Sequence, residues 1–384
     1  MARAKSTSPT ATAGSLSAAQ IADSVNKKFG SGTMVPGIRA MGLVRPRIST
    51  GSLALDLALS GGYPEGAVTL FEGAEGTSKS WNLHNCAANF LRLHKDGIYV
   101  LINAEGTNDP PFLEMLGVDL GRTYFVQPDS GENAWDVAHE IAAKAKKVFI
   151  GVDSLDAMVP LQEMEGDMDE HKMAPAARMN NKGFRKLIAL MRSDIESQEH
   201  RVTMGIITQL RTNIGVIWGD NQCTVGGKGK NFAAMTIIRY RKVRVVRTEE
   251  GKTILDKIAY AMEIEAEIIK NKGAGEGEKV RFTLYKENHE GFRRGQIDNV
   301  TELLPFLLRY KIVEIHGSMY VLEDGTKHRG KAQFELFLRE NDSDRERLIS
   351  RVRAEIARRH ASFQEEAPVK KRVPAKVKFR ASAK

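Results

Sequence analysis

Between residues 51 and 286, short apolar runs alternate with longer amphipathic stretches, and this alternation restricts the fold more than any other property of the chain. Runs at 68–71, 98–103, 124–127, 148–153 and 202–209 read as strands, and stretches at 79–94, 132–146 and 178–197 read as helices. A strand–helix–strand repeat is the unit of a parallel sheet, whose strands are apolar because helices cover both faces. Residues 236–247, 259–269 and 280–286 look like strands with no helix between them. The expected fold class is therefore α/β, a mostly parallel twisted sheet flanked by helices and ending in antiparallel partners.

The texture changes after residue 287. Helical patterns at 300–310, 332–340 and 345–359, with a hairpin-like 318–322, predict a small C-terminal α/β domain. Ahead of the sheet, Ile21, Val25 and Phe29 mark one apolar face of a short helix over 18–29, stopped by Gly30-Ser31-Gly32. A lone apolar face in that position needs a surface to dock on. The predicted division is 1–37 for an arm and contact helix, 38–286 for the core, 287–360 for the small domain and 361–384 for a basic disordered tail. The first residues, Ser, Thr and Ala with Arg3 and Lys5, read as a disordered arm in preference to an organellar transit peptide.

Composition excludes several classes. Hydrophobic residues are 42% of 384, enough for a large core, yet no apolar run nears the ~18 residues of a membrane span. Two cysteines, Cys86 and Cys223, make no disulfide framework or zinc site, so a reducing, cytoplasmic compartment is expected. A net charge of +9 permits a polyanionic partner.

Strand 68–71 runs into Gly73-Ala74-Glu75-Gly76-Thr77-Ser78-Lys79-Ser80, where a helix starts. A loop at a helix N-terminus aims backbone N–H groups at phosphates, Lys79 reaches the β/γ oxygens of ATP, and Ser80 can ligate Mg²⁺. The glycine expected before the lysine is replaced by Ser78, so the strict pattern fails, and a Gly-rich surface turn is an equal alternative for the loop alone. Other strand ends add weight. Asp153 closes strand 148–153, where a carboxylate can orient Mg²⁺ through water, although a strand-end Asp followed by Ser154 as a helix cap is common. Glu105 follows strand 98–103 and can polarise an attacking water; Gln209 ends strand 202–209 and can sense a γ-phosphate. Each alone has a bland structural reading. Four such groups at the carboxyl edge of one sheet do not, because ligands bind at that edge.

With these motifs in order, residues 15–355 resemble the RecA recombinases. Residues 47–56 resemble the segment leading into that family's core. Asn103-Ala104-Glu105 through Asp109-Pro110 resembles the stretch with the catalytic glutamate, which puts Asp109 and Phe112 at adenine-contacting places. Residues 163–179, with Met173 and Arg178, resemble the first DNA-binding loop; 209–227, with Arg211, Ile214, Gly226 and Gly227, resemble the second. Arg178 and Arg185 are seven residues apart, hence on one side of a helix, where guanidiniums suit phosphates and apolar Met173 and Ile214 suit stacked bases. Met and Ile are more often core, and a basic helix face is often merely solvated. Lys270-Asn271-Lys272 resembles the lysine pair that acts on a neighbouring subunit's ATP, Phe232 lies where the second DNA loop meets the adjacent protomer, and helix 18–29 resembles the polymerisation helix.

The resemblance implies a DNA-dependent ATPase of the bacterial or phage-infected cytoplasm that uses ATP and Mg²⁺. It would form helical filaments on single-stranded DNA and pair it with homologous duplex DNA, alongside single-strand-binding and mediator proteins. Ser78 is similar to the phage-encoded UvsX-type branch. Glu265 and Glu267 stand where bacterial members place basic residues for a second DNA site, with Arg239, Arg241, Lys242, Arg244 and Arg247 nearby. Two rivals stay open: a structural filament that coats single-stranded DNA and binds ATP with little turnover, and a ring helicase or motor on the same core.

Overall fold

Helix α1 (Ala18–Phe29) forms because its ends are closed locally. The Ser17 hydroxyl accepts the Gln20 N–H at 3.3 Å while the Gln20 side chain accepts the Ser17 N–H at 2.9 Å, and Lys27 and Lys28 lie in the last turn. No residue of α1 is buried; Ile21 and Phe29 are exposed and Val25 half-buried. The computed structural model describes residues 16–40, 45–165, 175–191, 200–212, 222–224, 227, 229–248, 257–272 and 276–365.

The core then follows in chain order: β1 (Arg47–Ile48), α2 (Leu53–Ala58), β2 (Tyr63–Pro64), β3 (Val68–Gly73), α3 (Lys79–Leu93), β4 (Ile98–Asn103), α4 (Pro110–Met115), β5 (Thr123–Val126), α5 (Gly131–Lys144), β6 (Lys147–Asp153), α6 (Leu161–Met164), α7 (Pro175–Met191), β7 (Arg201–Thr212), β8 (Gln222–Thr224), α8 (Gly229–Ala233), β9 (Thr236–Arg247), β10 (Ala259–Asn271) and β11 (Lys279–Tyr285). The main sheet runs β11-β10-β9-β3-β7-β6-β4-β5. From β9 to β5 all neighbours are parallel, and β10 and β11 add antiparallel partners, as the sequence pattern predicts.

Period-two alternation sorts the strand side chains onto two covered faces. Val68, Leu70, Val100, Ile102, Val148, Ile150, Met204 and Ile206 pack with α5 and α7 through Ala134, Trp135, Phe184 and Leu187. Phe71, Tyr99, Leu101, Phe149 and Ile207 pack on the other face against Leu83, Ala87 and Phe90 of α3. The register brings the strand ends level, Gly73 beside Gln209 and Asn103 beside Asp153.

The small domain comprises α9 (Asn299–Arg309), the three-stranded antiparallel β12 (Val313–His316), β13 (Met319–Leu322) and β14 (Lys327–Arg329), then α10 (Gly330–Glu340) and α11 (Asp342–Glu365). It docks through a buried carboxyl: Glu302 of α9 accepts the Ser52 hydroxyl at 2.8 Å and the Ala54 N–H at 2.7 Å at the start of α2. Burial raises the Glu302 carboxyl to about 8, against the pull of those two bonds, and burial raises nearby Asp56 to about 6. A carboxyl raised above its ordinary 4.5 favours the folded state only while protonated, so its contribution is full below 4.5 and is lost as pH rises through 8. Between pH 6 and 8 the thermal midpoint should therefore fall, with a stability slope of at most about 1.4 kcal/mol per pH unit from this group. Glu302→Gln should flatten that slope; a variant as pH-sensitive as the parent would refute the assignment.

The structure departs from the sequence pattern in four places. Part of the segment 209–227, read as the second DNA-binding loop, is strand: Leu210, Arg211 and Thr212 pair antiparallel with Thr224, Cys223 and Gln222. Helix α6 was not expected at all. Both are too short to show a period and depend on tertiary contacts. Helix α11 runs to Glu365, past the predicted boundary at 360, with no Gly or Pro before Pro368 to stop it. The helix expected over 178–197 spans 175–191, with 192–199 outside the described residues.

Candidate functional site

The loop from β3 to α3 is set by two left-handed residues, Gly76 at φ +69° and Ser78 at φ +68°. An L residue pays about 1–2 kcal/mol in that region. Ser78 meets part of that cost with its own hydroxyl, which donates to the Thr77 carbonyl at 2.5 Å and accepts from the Asn82 amide at 3.3 Å. The same Asn82 amide holds the Ser78 carbonyl at 2.8 Å. The non-glycine residue is thus accommodated in the backbone conformation that glycine would adopt. Ser78→Gly should raise stability by up to about 1 kcal/mol, the relieved strain being offset by lost side-chain bonds and added unfolded-state freedom. It should change Mg-ATP affinity by at most ~10-fold. Thermal melts and an ATP titration check this, and a larger affinity change would show that the serine distorts the loop.

Lys79 opens α3, buried, with Nζ donating to the Ala74 carbonyl at 2.6 Å. Burial lowers its ammonium below the usual lysine value, partly opposed by Asp153 and Glu105. Thr77 donates to the same carbonyl at 2.8 Å. The Ser80 hydroxyl donates to Asp153 Oδ2 at 3.0 Å. Asp153 is buried, and burial first, then the charge of Glu105, raises its carboxyl.

Glu105 is a junction. Its Oε1 accepts from the Ser154 hydroxyl at 2.5 Å and from the Gln209 amide at 3.3 Å, while its N–H donates to the Asp153 carbonyl at 3.1 Å. Ser154 makes no side-chain cap to the following 3-10 turn, so its capping role is set aside: its hydroxyl holds Glu105. Gln209 is fixed from behind, its N–H donating to Asp156 Oδ2 at 2.8 Å. Lys79, Ser80, Asp153, Glu105 and Gln209 therefore meet in one cavity of about 260 Å³, with Glu75, Gly76, Thr77, Ser78 and Phe112 in its wall. Gly73 and Ala74 form the back of the loop, and Asp109 stands exposed at the cap of α4, outside that wall.

Several participants were not assigned from sequence. Lys286 and Met262 line the cavity from β11's end and β10. Asn108 donates to Asn103 at 2.8 Å and faces His84 at 2.7 Å, and His84 faces the Tyr99 hydroxyl at 3.0 Å. Burial lowers the His84 imidazole to about 4, so it is neutral and orients Asn108 beside Asp153. Only the polar strand-end Asn103 left a trace in the sequence pattern.

No group of three or more His, Cys, Asp or Glu that could hold a metal occurs among the described residues. The donors fit Mg²⁺ in a different way: one hydroxyl, Ser80, beside one buried carboxylate, Asp153, is a set completed by phosphate oxygens and water. The raised carboxyl of Asp153 is the state a cation relieves.

On α7, Arg178 and Arg185 are both exposed. Gly227, at φ +78°, lies close to Ala177 of the same helix. Arg211 is in β7 paired with Cys223, and Met173, Ile214, Gly226 and the Arg211 side chain lie outside what is described. Phe232 of α8 is 80% exposed, an unusual position for a phenyl ring. Lys270 Nζ donates to the carbonyls of Asn231 at 2.5 Å and Ala234 at 2.7 Å, bracketing Phe232, and Lys272 is exposed. The arginines of β9 expected to supply free charge are in part paired. Arg241 meets Glu265 at 2.5 Å, Arg244 meets Glu263 at 2.6 Å, and Arg281 of β11 meets Glu265 at 2.9 Å. Arg239 lies 3.4 Å from Glu72. Glu265 therefore reduces the free positive charge of this face.

Sheet order, phosphate-type loop and strand-end carboxylates define a core of the RecA type. The family model described as RecA N-terminal domain matches residues 16–289. "Protein RecA" of Mycoplasma mycoides subsp. mycoides is 31% identical over 330 residues, covering 86% of this chain and 89% of the relative. That of Desulforapulum autotrophicum is 31% identical over 332 residues with the same coverage, and that of Borrelia duttonii 29% over 309 residues, 80% of each chain. The chain belongs to the RecA family.

Proposed function

We propose that this protein is an ATP-dependent recombinase that polymerises on single-stranded DNA and exchanges strands with homologous duplex DNA. The observation that supports it most is the bond from Gln209 to Glu105, because it ties a strand leading into the second DNA loop to the residue suited to activate water. Lys79 and the loop N–H groups hold the phosphates. Ser80 and Asp153 would hold Mg²⁺, which when bound would supply neutralisation of phosphate charge. Glu105 takes the proton of the attacking water, and Ser154 fixes its Oε1. Phe112 and Asp109 serve the adenine end. DNA held by Arg178, Arg185, Arg211, Met173, Ile214 and Gly226-Gly227 shifts Gln209 and so orients Glu105. Ile21, Val25, Phe29 and Phe232 join protomers, and Lys270 and Lys272 reach the neighbouring subunit's ATP.

Ser78 and the basic C-terminal segment favour a phage-encoded member, acting in the host cytoplasm with single-strand-binding and mediator proteins. No helix of the described residues is long and apolar enough to cross a membrane. Ser78 in a strained conformation is also the observation favouring a structural filament with little turnover. Electron microscopy with single-stranded DNA and a non-hydrolysable ATP analogue, with DNA-stimulated phosphate release measured in parallel, separates the readings. A helical filament with turnover is expected. Closed rings would overturn the recombinase, and filaments without turnover would leave the coating protein.

A further inference from the structure

Trp81, next to Ser80 on α3, forms a wall of two cavities. One is the nucleotide cleft. The other is a cleft of about 840 Å³ between α3, the end of α4 and the 288–299 segment that links β11 to α9. Its charged lining residues are Arg92, Arg293 and Arg294, with no carboxylate in the wall. Among the described residues, no ion pair ties any of the three to an acid, and the nearby Asp298 is taken by Arg339 at 2.5 Å. Arg92 also donates to Asn89 Oδ1, so three guanidiniums without an acid partner line one concavity, an arrangement that suits an anion.

The cleft is built rather than incidental. The Arg293 N–H is held by Gln296 Oε1 and the Arg294 N–H by Asn288 Oδ1, each at 2.9 Å, which fixes the backbone of the turn from which both arginines line the cleft. Gly295, at φ +85°, donates to the Tyr285 carbonyl at 2.8 Å and accepts the Trp81 indole N–H at 2.9 Å. A side chain there would press on Leu116 at 2.9 Å, so glycine alone seats the arginine turn against the end of α4. Gly117, at φ +80°, leaves space that the Arg92 guanidinium occupies and that a Cβ would take from it. Phe292 is covered by Tyr285 at 4.2 Å and by Arg339 at 5.2 Å, so it offers no open ring for a base to stack on.

We propose that this cleft binds an oligophosphate through Arg92, Arg293 and Arg294, recognising phosphates and not bases. Its source is either a free inorganic oligophosphate or a run of nucleic-acid backbone, which present the same chemistry.

The test uses the full chain saturated with Mg-ADP, so that the nucleotide cleft is filled, titrated calorimetrically with tripolyphosphate and separately with a short DNA duplex. Wild type should bind at least one probe, tripolyphosphate with a Kd of about 10–500 µM. The double variant R293A/R294A, and R92A alone, should weaken that binding at least ~10-fold, with R293K/R294K intermediate because lysine keeps the charge but not the fork. Thermal midpoints should not change, since these arginines are exposed. A loss for tripolyphosphate alone assigns the free anion, and a loss for duplex alone assigns nucleic-acid backbone. If neither probe binds wild type, or R293A/R294A binds both as wild type does, the proposal is wrong.

Discussion

Glu105→Gln should lower the DNA-stimulated rate of ATP hydrolysis by ~10²–10⁴-fold, the usual contribution of a positioned general base. The substitution is nearly isosteric. A glutamine oxygen can still accept from Ser154 at 2.5 Å and from Gln209 at 3.3 Å, so the junction should keep its shape while losing the group that takes the proton. Nucleotide and single-stranded DNA affinity should therefore hold, or rise slightly. A second consequence is electrostatic. Burial is the main reason the Asp153 carboxyl is raised, and the charge of Glu105 is the next. Removing that charge should lower the Asp153 carboxyl toward its ordinary value, so tight Mg-nucleotide binding should extend to lower pH in the variant. Pre-steady-state phosphate release and Mg-nucleotide titrations from pH 5 to 8 measure both effects. Hydrolysis within about 3-fold of the parent would remove Glu105 from the role of base.

What could be read from the chain, and what could not, follows from the range of the forces involved. Strands β3, β4, β6 and β7 announce themselves because both their faces are covered, making each a run of apolar residues with hardly a break. The same exposure logic exposes α1, none of whose residues is buried among the described residues. Residues acting at strand ends are legible as polar breaks after apolar runs, which is how Glu105, Asp153 and Gln209 could be singled out. Their mutual bonds are not legible, since Glu105 and Gln209 are 104 positions apart and meet only through the register of β4, β6 and β7. Asn108, Lys286 and Glu302 were missed for the same reason: each is an ordinary polar residue until a distant element packs beside it. The β9 arginines show the converse error. A run of Arg and Lys reads as free charge when its cross-strand carboxylates, Glu263 and Glu265, are invisible to local pattern.

Lys272→Ala should reduce DNA-stimulated hydrolysis by about 10²–10³-fold, as expected for a cation that stabilises charge on the transferring phosphate, while leaving the folded protomer unaltered. Lys272 is exposed and makes no side-chain bond among the described residues, so its loss costs the isolated chain little. Lys270 is a less clean probe. Its ammonium holds the Asn231 and Ala234 carbonyls on either side of Phe232, and burial, then the charge of Lys272, lowers it below the usual lysine value. Lys270→Ala should thus cost about 1 kcal/mol of stability as well as activity, and Lys270→Arg should recover the stability before the activity. The trans assignment is decided by mixing. In the proposed head-to-tail filament each ATP site would draw Glu105 from one protomer and Lys272 from the next. A random one-to-one mixture of Glu105→Gln and Lys272→Ala proteins, each nearly inactive, should then regain roughly a quarter of the parent rate, since each junction draws its two faces independently. Were Lys272 to act on its own subunit's nucleotide, every protomer in the mixture would carry a defective site and no ratio of the two proteins would restore turnover.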